Sequence, residues 1–172
     1  VACIIEKCGY GVSSIIGTGG RDLYPQIGGI SMMMGIKRLD EDSETKVIVL
    51  VSKLADLAVM ERVLNYADSV SKPVVAVFLG GNDELFKGHK VHGTYNLEAA
   101  ALEAVRLVSG ETPVFGYTDE KIREIAESEV KKYKEGQKYL RALYCGGTFT
   151  EEGLLYFSEH NSSVSIYSNL KT

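Results

Sequence analysis

KVIVLV at residues 46–51 and PVVAVFLG at residues 73–80 are continuous runs of β-branched and other apolar side chains. A strand with one solvated face alternates polar and apolar residues, whereas a strand covered by helices on both faces is apolar throughout. Both runs therefore predict buried strands of a parallel sheet. Two weaker β-rich stretches, VSSII at 12–16 and KVHGTY at 90–95, predict further strands.

Helical periodicity fills the intervals between these runs. Apolar residues recur three or four positions apart within 30–39 and again within 54–64. LEAAALEAVRLV at 97–108 is rich in strong helix formers and follows Asn96, a favourable N-cap residue. Strands that alternate with helices indicate βαβ units with right-handed crossovers. The sequence therefore predicts an α/β protein with an open, doubly wound, mainly parallel sheet.

Composition and charge exclude several classes of protein. An apolar content of 45% with 24% charged residues is typical of a soluble globular protein. The formal charge of -4 argues against nucleic acid or an anionic membrane as partner. No apolar stretch approaches the roughly 20 residues of a membrane span. Cys3, Cys8 and Cys145 lack metal-ligand spacing, so we expect reduced thiols, no metal site and a cytoplasmic location.

The second part of the chain begins with a predicted boundary. SGETPVFGY at 109–117 concentrates Ser, Gly and Pro. The polar stretch after it predicts a helix with Thr118 as its cap and lysines near its end.

A further strand-to-helix pattern follows. Thr148 and Glu151, directly after Gly146 and Gly147, have the spacing of a capping box, and SVSIYSN at 163–169 predicts a strand. We expect three segments, a first domain at 1–110, a linker helix at 111–137 and the beginning of a second α/β module at 138–172.

A glycine-rich turn follows the first predicted strand. This 17–20 turn consists of Gly17, Thr18, Gly19 and Gly20. Backbone N–H groups of such a turn at the start of a helix can bind an anion, and glycine permits close approach and positive φ. The dinucleotide pattern G-x-G-x-x-G is absent, because Asp22 stands where its third glycine belongs. The turn is either a phosphate site or a structural corner. Arg21 and Asp22 are either a clamp beside the anion or a surface ion pair.

Two histidines and an acidic stretch are candidate catalytic or metal-binding groups. His89 and His92 lie in GHKVHG, where an extended backbone turns side chains three positions apart to different sides. We therefore expect both to be exposed on a loop. The acidic residues within 40–44 are expected to form a solvated turn rather than an acid–base pair.

Several of these stretches together resemble one known family. The resemblance is to the FdrA family, whose members are built like the α and β chains of succinyl-CoA synthetase joined end to end. It lies in IGTGGRDL, IGGISM, LDEDSETKVIVLVSK, SKPVVAVFLGG and YLRALYCGGTFTEEGLL, and covers about residues 13–108 and 138–169. It implies a flavodoxin-like ligase domain that follows a Rossmann-like CoA-binding domain and precedes a second ligase domain.

The resemblance also implies a chemistry. Acyl-CoA synthetases of this kind are acid–thiol ligases that interconvert acyl-CoA, phosphate and nucleoside diphosphate through a phosphorylated histidine, with CoA and ATP or ADP with Mg as cofactors. His89 is the candidate phosphohistidine, although GHKVHG lacks the small residues of the family's GHAG-type loop. The implied phosphate-binding residues are Gly17, Thr18, Gly19, Gly20 and Arg21, with Gly146, Gly147 and Thr148 as a counterpart turn.

The resemblance leaves three hypotheses. The first is a ligase of the acyl-CoA synthetase type. FdrA-type proteins are also associated with purine and allantoin breakdown, as a component of oxamate carbamoyltransferase, and carbamoyl phosphate would suit the same turns without a phosphohistidine. The third hypothesis is a non-catalytic docking domain. We expect this segment to be inactive alone, with the other domains of its chain, sister subunits or a second copy as partners.

Overall fold

The computed structural model describes residues 1–160, 163 and 165–170. The chain divides into two compact units, Val1–Pro113 and Val114–Thr172. The first unit contains α1 (Ala2–Lys7), α2 (Ile30–Glu41), β1 (Ile48–Lys53), α3 (Leu57–Ala67), β2 (Val74–Leu79), α4 (Asp83–Phe86), β3 (His92–Thr94) and α5 (Leu97–Ser109). The second contains α6 (Asp119–Val130) and α7 (Gly147–His160). The assignment of these segments to ligase-type domains stays a prediction.

The first unit is built around a three-stranded parallel sheet in the order β1-β2-β3. Ile48 pairs with Val74 at the start of β1 and β2, and Val75 pairs with His92 at the start of β3. The predicted strands are confirmed at 46–51, 73–80 and 90–95, within a few residues at each end. The α2, α3 and α5 helices form where the apolar periodicity predicts them.

Helices cover the central strand β2 on both faces, and all six of its side chains are buried. Because side chains alternate along a strand, Val74, Ala76 and Phe78 face one way and join the core formed with α2 and α3. The other three residues face α5, whose apolar stripe is buried too. Each buried Val, Leu or Phe side chain of β2 contributes about 1.5–3 kcal/mol of transfer free energy. The unit is a doubly wound, flavodoxin-like α/β domain, as predicted.

The strand predicted at 12–16 is wrong. These residues are irregular, and Ile15 is 78% exposed. The Ser13 and Thr45 hydroxyls are hydrogen-bonded at 2.8 Å, and the Ile16 side chain lies against Gly35 of α2. The segment therefore packs beside α2 instead of pairing with a strand. High β-propensity favours a strand only where a neighbouring strand exchanges hydrogen bonds with it.

The second unit has helices at the predicted places. Thr118 caps α6, with its Oγ1 accepting from the Lys121 N–H at 3.3 Å. The helix predicted after Gly146 is α7, but Thr148 lies inside its first turn rather than at the cap. Of the strand predicted at 163–169, residue 164 lies outside the described residues, and 165–168 are irregular. Within the ranges that the structure describes, no helix is long and apolar enough to cross a bilayer.

Candidate functional site

The 17–20 turn has an open backbone. A Cβ built on Gly17, Gly19 or Gly20 would meet no described atom within 4 Å. Gly19 has a φ of +82°, a conformation that side chains disfavour, so this glycine is required by the turn itself. Packing and φ do not require the other two glycines. Both are exposed in this structure.

The expectation that this turn begins a helix is wrong. Residues after Gly20 form successive turns, and α2 begins only at Ile30. Its N-cap is Gly29, with a φ of +77° and so little space that a Cβ there would lie 2.7 Å from Val63 Cγ2. This tight approach of α2 to α3 sets the helix start, because only glycine satisfies both the φ and the contact.

Asp22 occupies the N-terminus of α2. Its side chain is buried, and its carboxylate accepts from the Ser31 N–H at 2.9 Å and the Met32 N–H at 2.8 Å. The interpretation of Arg21 and Asp22 as a surface ion pair is wrong, because Asp22 is inside and its carboxylate is used by the helix. The Arg21 residue is exposed. Sequence reasoning missed this role, since the acceptor and its donors are 9 and 10 positions apart.

The 17–20 turn lies toward the carboxyl end of the sheet. Ser13 contacts Thr45, which precedes β1, and Ile16 lies against Gly35 in the middle of α2. Asp22 then lies at the start of α2, whose N-cap Gly29 lies against Val59 and Val63 of α3, and α3 follows the carboxyl end of β1. The chain therefore runs from the amino end to the carboxyl end of β1 across this stretch. Open α/β sheets bind ligands at their carboxyl edge.

Two more polar loops lie at this edge. The loop after β2 begins with Gly80, whose φ is +88°, and leads to Asp83. The loop after β3 contains Tyr95, whose hydroxyl donates to the Asp83 carboxylate. This hydrogen bond raises the pKa of Tyr95 above its usual value. Asn96 caps α5 by accepting from the Ala99 N–H at 2.7 Å, as predicted.

His89 lies between two carboxylates, so the expectation that it is exposed is wrong. Its side chain is only 6% exposed, with Nδ1 2.7 Å from Asp68 Oδ2 and Nε2 3.3 Å from Glu61 Oε2. The Lys90 N–H also donates to Asp68, at 2.7 Å. Burial lowers the pKa of His89, but the hydrogen bonds to Asp68 and Glu61 and their charges outweigh it and raise the pKa overall. The His89 imidazole therefore links the segment before β3 to α3 and its C-cap residue Asp68.

His92 is the first residue of β3 and is half-buried, so the expectation of an exposed loop residue is wrong here too. It lies on the other side of the sheet. Its Nδ1 is 2.8 Å from Glu103 Oε1 of α5, and Glu103 also makes two 2.7 Å hydrogen bonds with Arg106. These partners lower the pKa of Glu103, Arg106 contributing most. His89 and His92 therefore do not form one site, in agreement with their spacing on an extended segment.

The acidic stretch at 40–44 has a structural role. Asp40 accepts hydrogen bonds from Ser71 and from the Lys72 N–H, and the Ser71 hydroxyl lowers the pKa of Asp40. An open groove of about 890 Å³ lies nearby, between 11–16 and the end of α2. The predicted site residues do not line this groove, which lies toward the amino end of the sheet.

The second predicted turn opens a helix, unlike the first. Gly146 has a φ of +105°, and its carbonyl accepts from the Thr150 hydroxyl at 3.1 Å at the start of α7. A Cβ on Gly146 would meet no described atom within 4 Å. Its role, like that of Gly147 and Thr148, stays a prediction.

No family model matches the chain, but comparison with known proteins finds relatives, among them the following two. The chain is 36% identical over 169 residues to the uncharacterized protein YahF of Escherichia coli (strain K12), an alignment that covers 97% of the chain and 32% of YahF. It is 36% identical over 76 residues to subunit alpha 1 of an ADP-forming succinate–CoA ligase of Archaeoglobus fulgidus, over 44% of the chain and 24% of that subunit. The chain therefore spans a third or less of these proteins, and part of it is distantly similar to a CoA-ligase subunit.

Proposed function

We propose that this chain is part of an FdrA-type protein of the succinyl-CoA synthetase kind, and that its 17–20 turn holds a phosphate or acyl phosphate. The observation that carries the proposal is the 36% identity over 76 residues to a succinate–CoA ligase alpha subunit. The proposed reaction class is that of an acid–thiol ligase.

The geometry of the 17–20 turn supports a phosphate as its ligand. Gly17 and Gly20 leave their backbone uncovered although neither packing nor φ demands glycine there. Uncovered N–H groups are the donors that phosphate oxygens accept from in glycine-rich loops. The exposed Arg21 adds a positive charge next to the turn. In this proposal the turn binds the phosphoryl group and Arg21 neutralises part of its charge.

A second candidate function is a component of a carbamoyltransferase that uses carbamoyl phosphate. The surroundings of His89 favour it over a ligase that is phosphorylated on this residue. Both ring nitrogens are engaged by Asp68 and Glu61, and a phosphoryl group on either would face a carboxylate. Like charges at such a distance repel strongly in a partly buried site. Transfer from carbamoyl phosphate needs a phosphate-holding turn but no phosphohistidine.

The proposal extends to the organisation of the complete protein. We assign 1–110 to the first flavodoxin-like ligase domain, 111–137 to a linker and 138–172 to the start of a second ligase-type module. The turn of Gly146, Gly147 and Thr148 is then a second phosphate-binding turn. CoA and ATP or ADP with Mg are cofactors of the complete cytoplasmic protein, together with its other domains and sister subunits.

The phosphate proposal is tested by NMR titration of the ¹⁵N-labelled chain with inorganic phosphate and carbamoyl phosphate at constant ionic strength. We expect saturable shifts of the Gly17, Gly19 and Gly20 amides. Gly110 is the matched control, because it is also an exposed glycine without neighbours and terminates α5. Gly20→Ala introduces a Cβ without a clash and should weaken binding severalfold while the fold is kept. Unmoved turn amides, or equal shifts at Gly110, would refute the proposal.

The two reactions are separated with the complete protein. A ligase that is phosphorylated on His89 should give acid-labile label from γ-phosphate-labelled ATP that is lost in His89→Gln, whereas a carbamoyltransferase should give no such label in either protein. Consumption of carbamoyl phosphate in the presence of oxamate supports the transferase. Label that disappears in His89→Gln would instead establish the phosphohistidine ligase.

A further inference from the structure

We propose that Asp22 is the positioning residue of the 17–20 turn, an inference that rests on the proposed phosphate site. The observation behind it is that Asp22 is bonded to both the turn and the helix. Its N–H donates to the Gly19 carbonyl at 3.2 Å, and its carbonyl accepts from the Gly29 N–H at 2.8 Å. Its carboxylate accepts from the Ser31 and Met32 N–H groups.

These hydrogen bonds connect the exposed 17–20 turn to the well-packed start of α2. The glycines of the 17–20 turn have no neighbours within 4 Å of a Cβ, and Thr18, its one side chain, is only half-buried. The start of α2, by contrast, is held in the core by Met32, which is 8% exposed, and by the contact of Gly29 with α3. Asp22 is only 4% exposed, and the hydrogen bond from its N–H to the Gly19 carbonyl restrains the turn. A loop that binds phosphate through its backbone needs its N–H groups fixed in direction, because their reorientation opposes binding.

The Asp22 carboxylate also determines which backbone N–H groups are left to bind the ligand. The first N–H groups of a helix, and the partial positive charge there, are the usual anion site of a glycine-rich turn. In this protein Asp22 already accepts from the N–H groups of Ser31 and Met32 at the start of α2. Phosphate is therefore bound by the turn amides without those two donors.

The test compares two aspartate caps in the same unit. Asp56 caps α3 by accepting from the Val59 N–H at 3.0 Å, but it has no bond to the 17–20 turn. Asp22→Ala removes a carboxylate that accepts from two N–H groups of α2, and Asp56→Ala removes the N-cap of α3, so Asp56→Ala is the control for the loss of an acceptor at a helix start. Both should lower the urea midpoint. Without any ligand, only Asp22→Ala should shift the Gly19 and Gly20 amide resonances, and it should weaken inorganic phosphate binding about tenfold.

Asp22→Asn removes the charge and one of the two acceptors. Asparagine keeps one oxygen that accepts from an N–H but places an NH₂ donor where the second oxygen accepted, so the turn resonances and phosphate binding should fall between those of the unsubstituted protein and of Asp22→Ala. Should Asp22→Ala not fold, Asp22→Ser is measured instead, since its shorter side chain reaches fewer N–H groups. The inference is overturned if Asp22→Ala, or Asp22→Ser in its place, leaves the turn resonances unmoved, or if Asp56→Ala moves them equally. Because these resonances are read without ligand, a turn that binds no phosphate refutes the proposed function and leaves this comparison decisive for Asp22.

Discussion

The units Val1–Pro113 and Val114–Thr172 bury their apolar residues very differently. In the first unit Leu64 and Val75 are completely inaccessible to solvent. In the described part of the second unit no side chain reaches that class of burial, and Leu143 is 100% exposed. An apolar pattern therefore identifies the side chains that can be buried. Whether they are buried depends on a sheet against which they can pack.

The sheet explains the difference in physical terms. Each β2 side chain meets a helix on one face or the other, so six consecutive residues lose their hydration. The helices α6 and α7 have 12 and 14 residues, lengths at which an isolated helix is only marginally stable in water. We therefore expect the cooperative stability of this chain to lie in the first unit, and four predictions test that expectation.

Hydrogen exchange should show the largest contrast. Amides of β2 are paired on both sides, with β1 and β3, and should exchange only on global unfolding. Amides of α6 should exchange by local opening, at least about a thousandfold faster after correction for sequence. The measurement is residue-resolved exchange by NMR at one pH and temperature. Equal protection in α6 and β2 would show that the second unit unfolds together with the first.

Truncation of one leucine in each unit should give the next largest difference. Leu64→Ala removes a fully buried side chain of α3 and should cost about 2–5 kcal/mol of unfolding free energy. Leu143→Ala, the same chemical change at an exposed site, should cost less than about 0.5 kcal/mol. Urea unfolding followed by circular dichroism measures both. Similar losses at the two positions would contradict the assignment of the core to the first unit.

The sequence predicted those features whose cause is local. Continuous apolar runs predicted β1 and β2, because burial on both faces of a strand leaves no polar position. Asn96 and Thr118 could be identified as caps, since each accepts from an N–H group three residues later. The glycines of the 17–20 turn could be singled out as unusual, although their accessibility required the structure.

Features that depend on distant partners could not be predicted. Residues 12–16 have the composition of a strand, but nothing in the sequence says whether a neighbour pairs with them. The partners of His89 lie 21 and 28 positions away, at the C-cap of α3 and on α3, so its burial had no local signal. The residues around Asp22 in the sequence suggest an exposed charge. In the structure its side chain is buried, and its carboxylate accepts from N–H groups at the start of α2. In each case tertiary contacts, not propensity, decided the outcome.

The clamp of His89 with Asp68 and Glu61 should make the stability of the first unit depend on pH. An unfolded histidine titrates near pH 6.5, and the folded pKa of His89 is raised. The contribution of the clamp is therefore fully present below about pH 6.5 and is lost as the pH rises through the folded pKa. His89→Gln should cost about 1–3 kcal/mol at pH 6 and less at pH 9.

The control for the clamp is His92→Gln. The His92 side chain is 36% exposed, and Glu103 keeps its two hydrogen bonds with Arg106 in this variant. We therefore expect a smaller loss of unfolding free energy than in His89→Gln. Urea unfolding of both variants at the two pH values is the measurement. A loss in His89→Gln that is the same at both would show that the ring acts by packing alone.

The smallest effect we expect comes from the two helix caps, one in each unit. Asn96→Ala should lower the unfolding free energy by about 1 kcal/mol, because α5 packs on β2 and its cap belongs to the cooperative unit. Thr118→Ala should leave the urea midpoint unchanged and reduce only the helicity of α6, measured from its Cα chemical shifts. The two substitutions remove the same kind of bond, so a difference between them reports the coupling of each helix to the core. A lowered midpoint in Thr118→Ala would mean that α6 is stabilised by contacts with the folded core, and the boundary of the cooperative unit would then extend past Pro113.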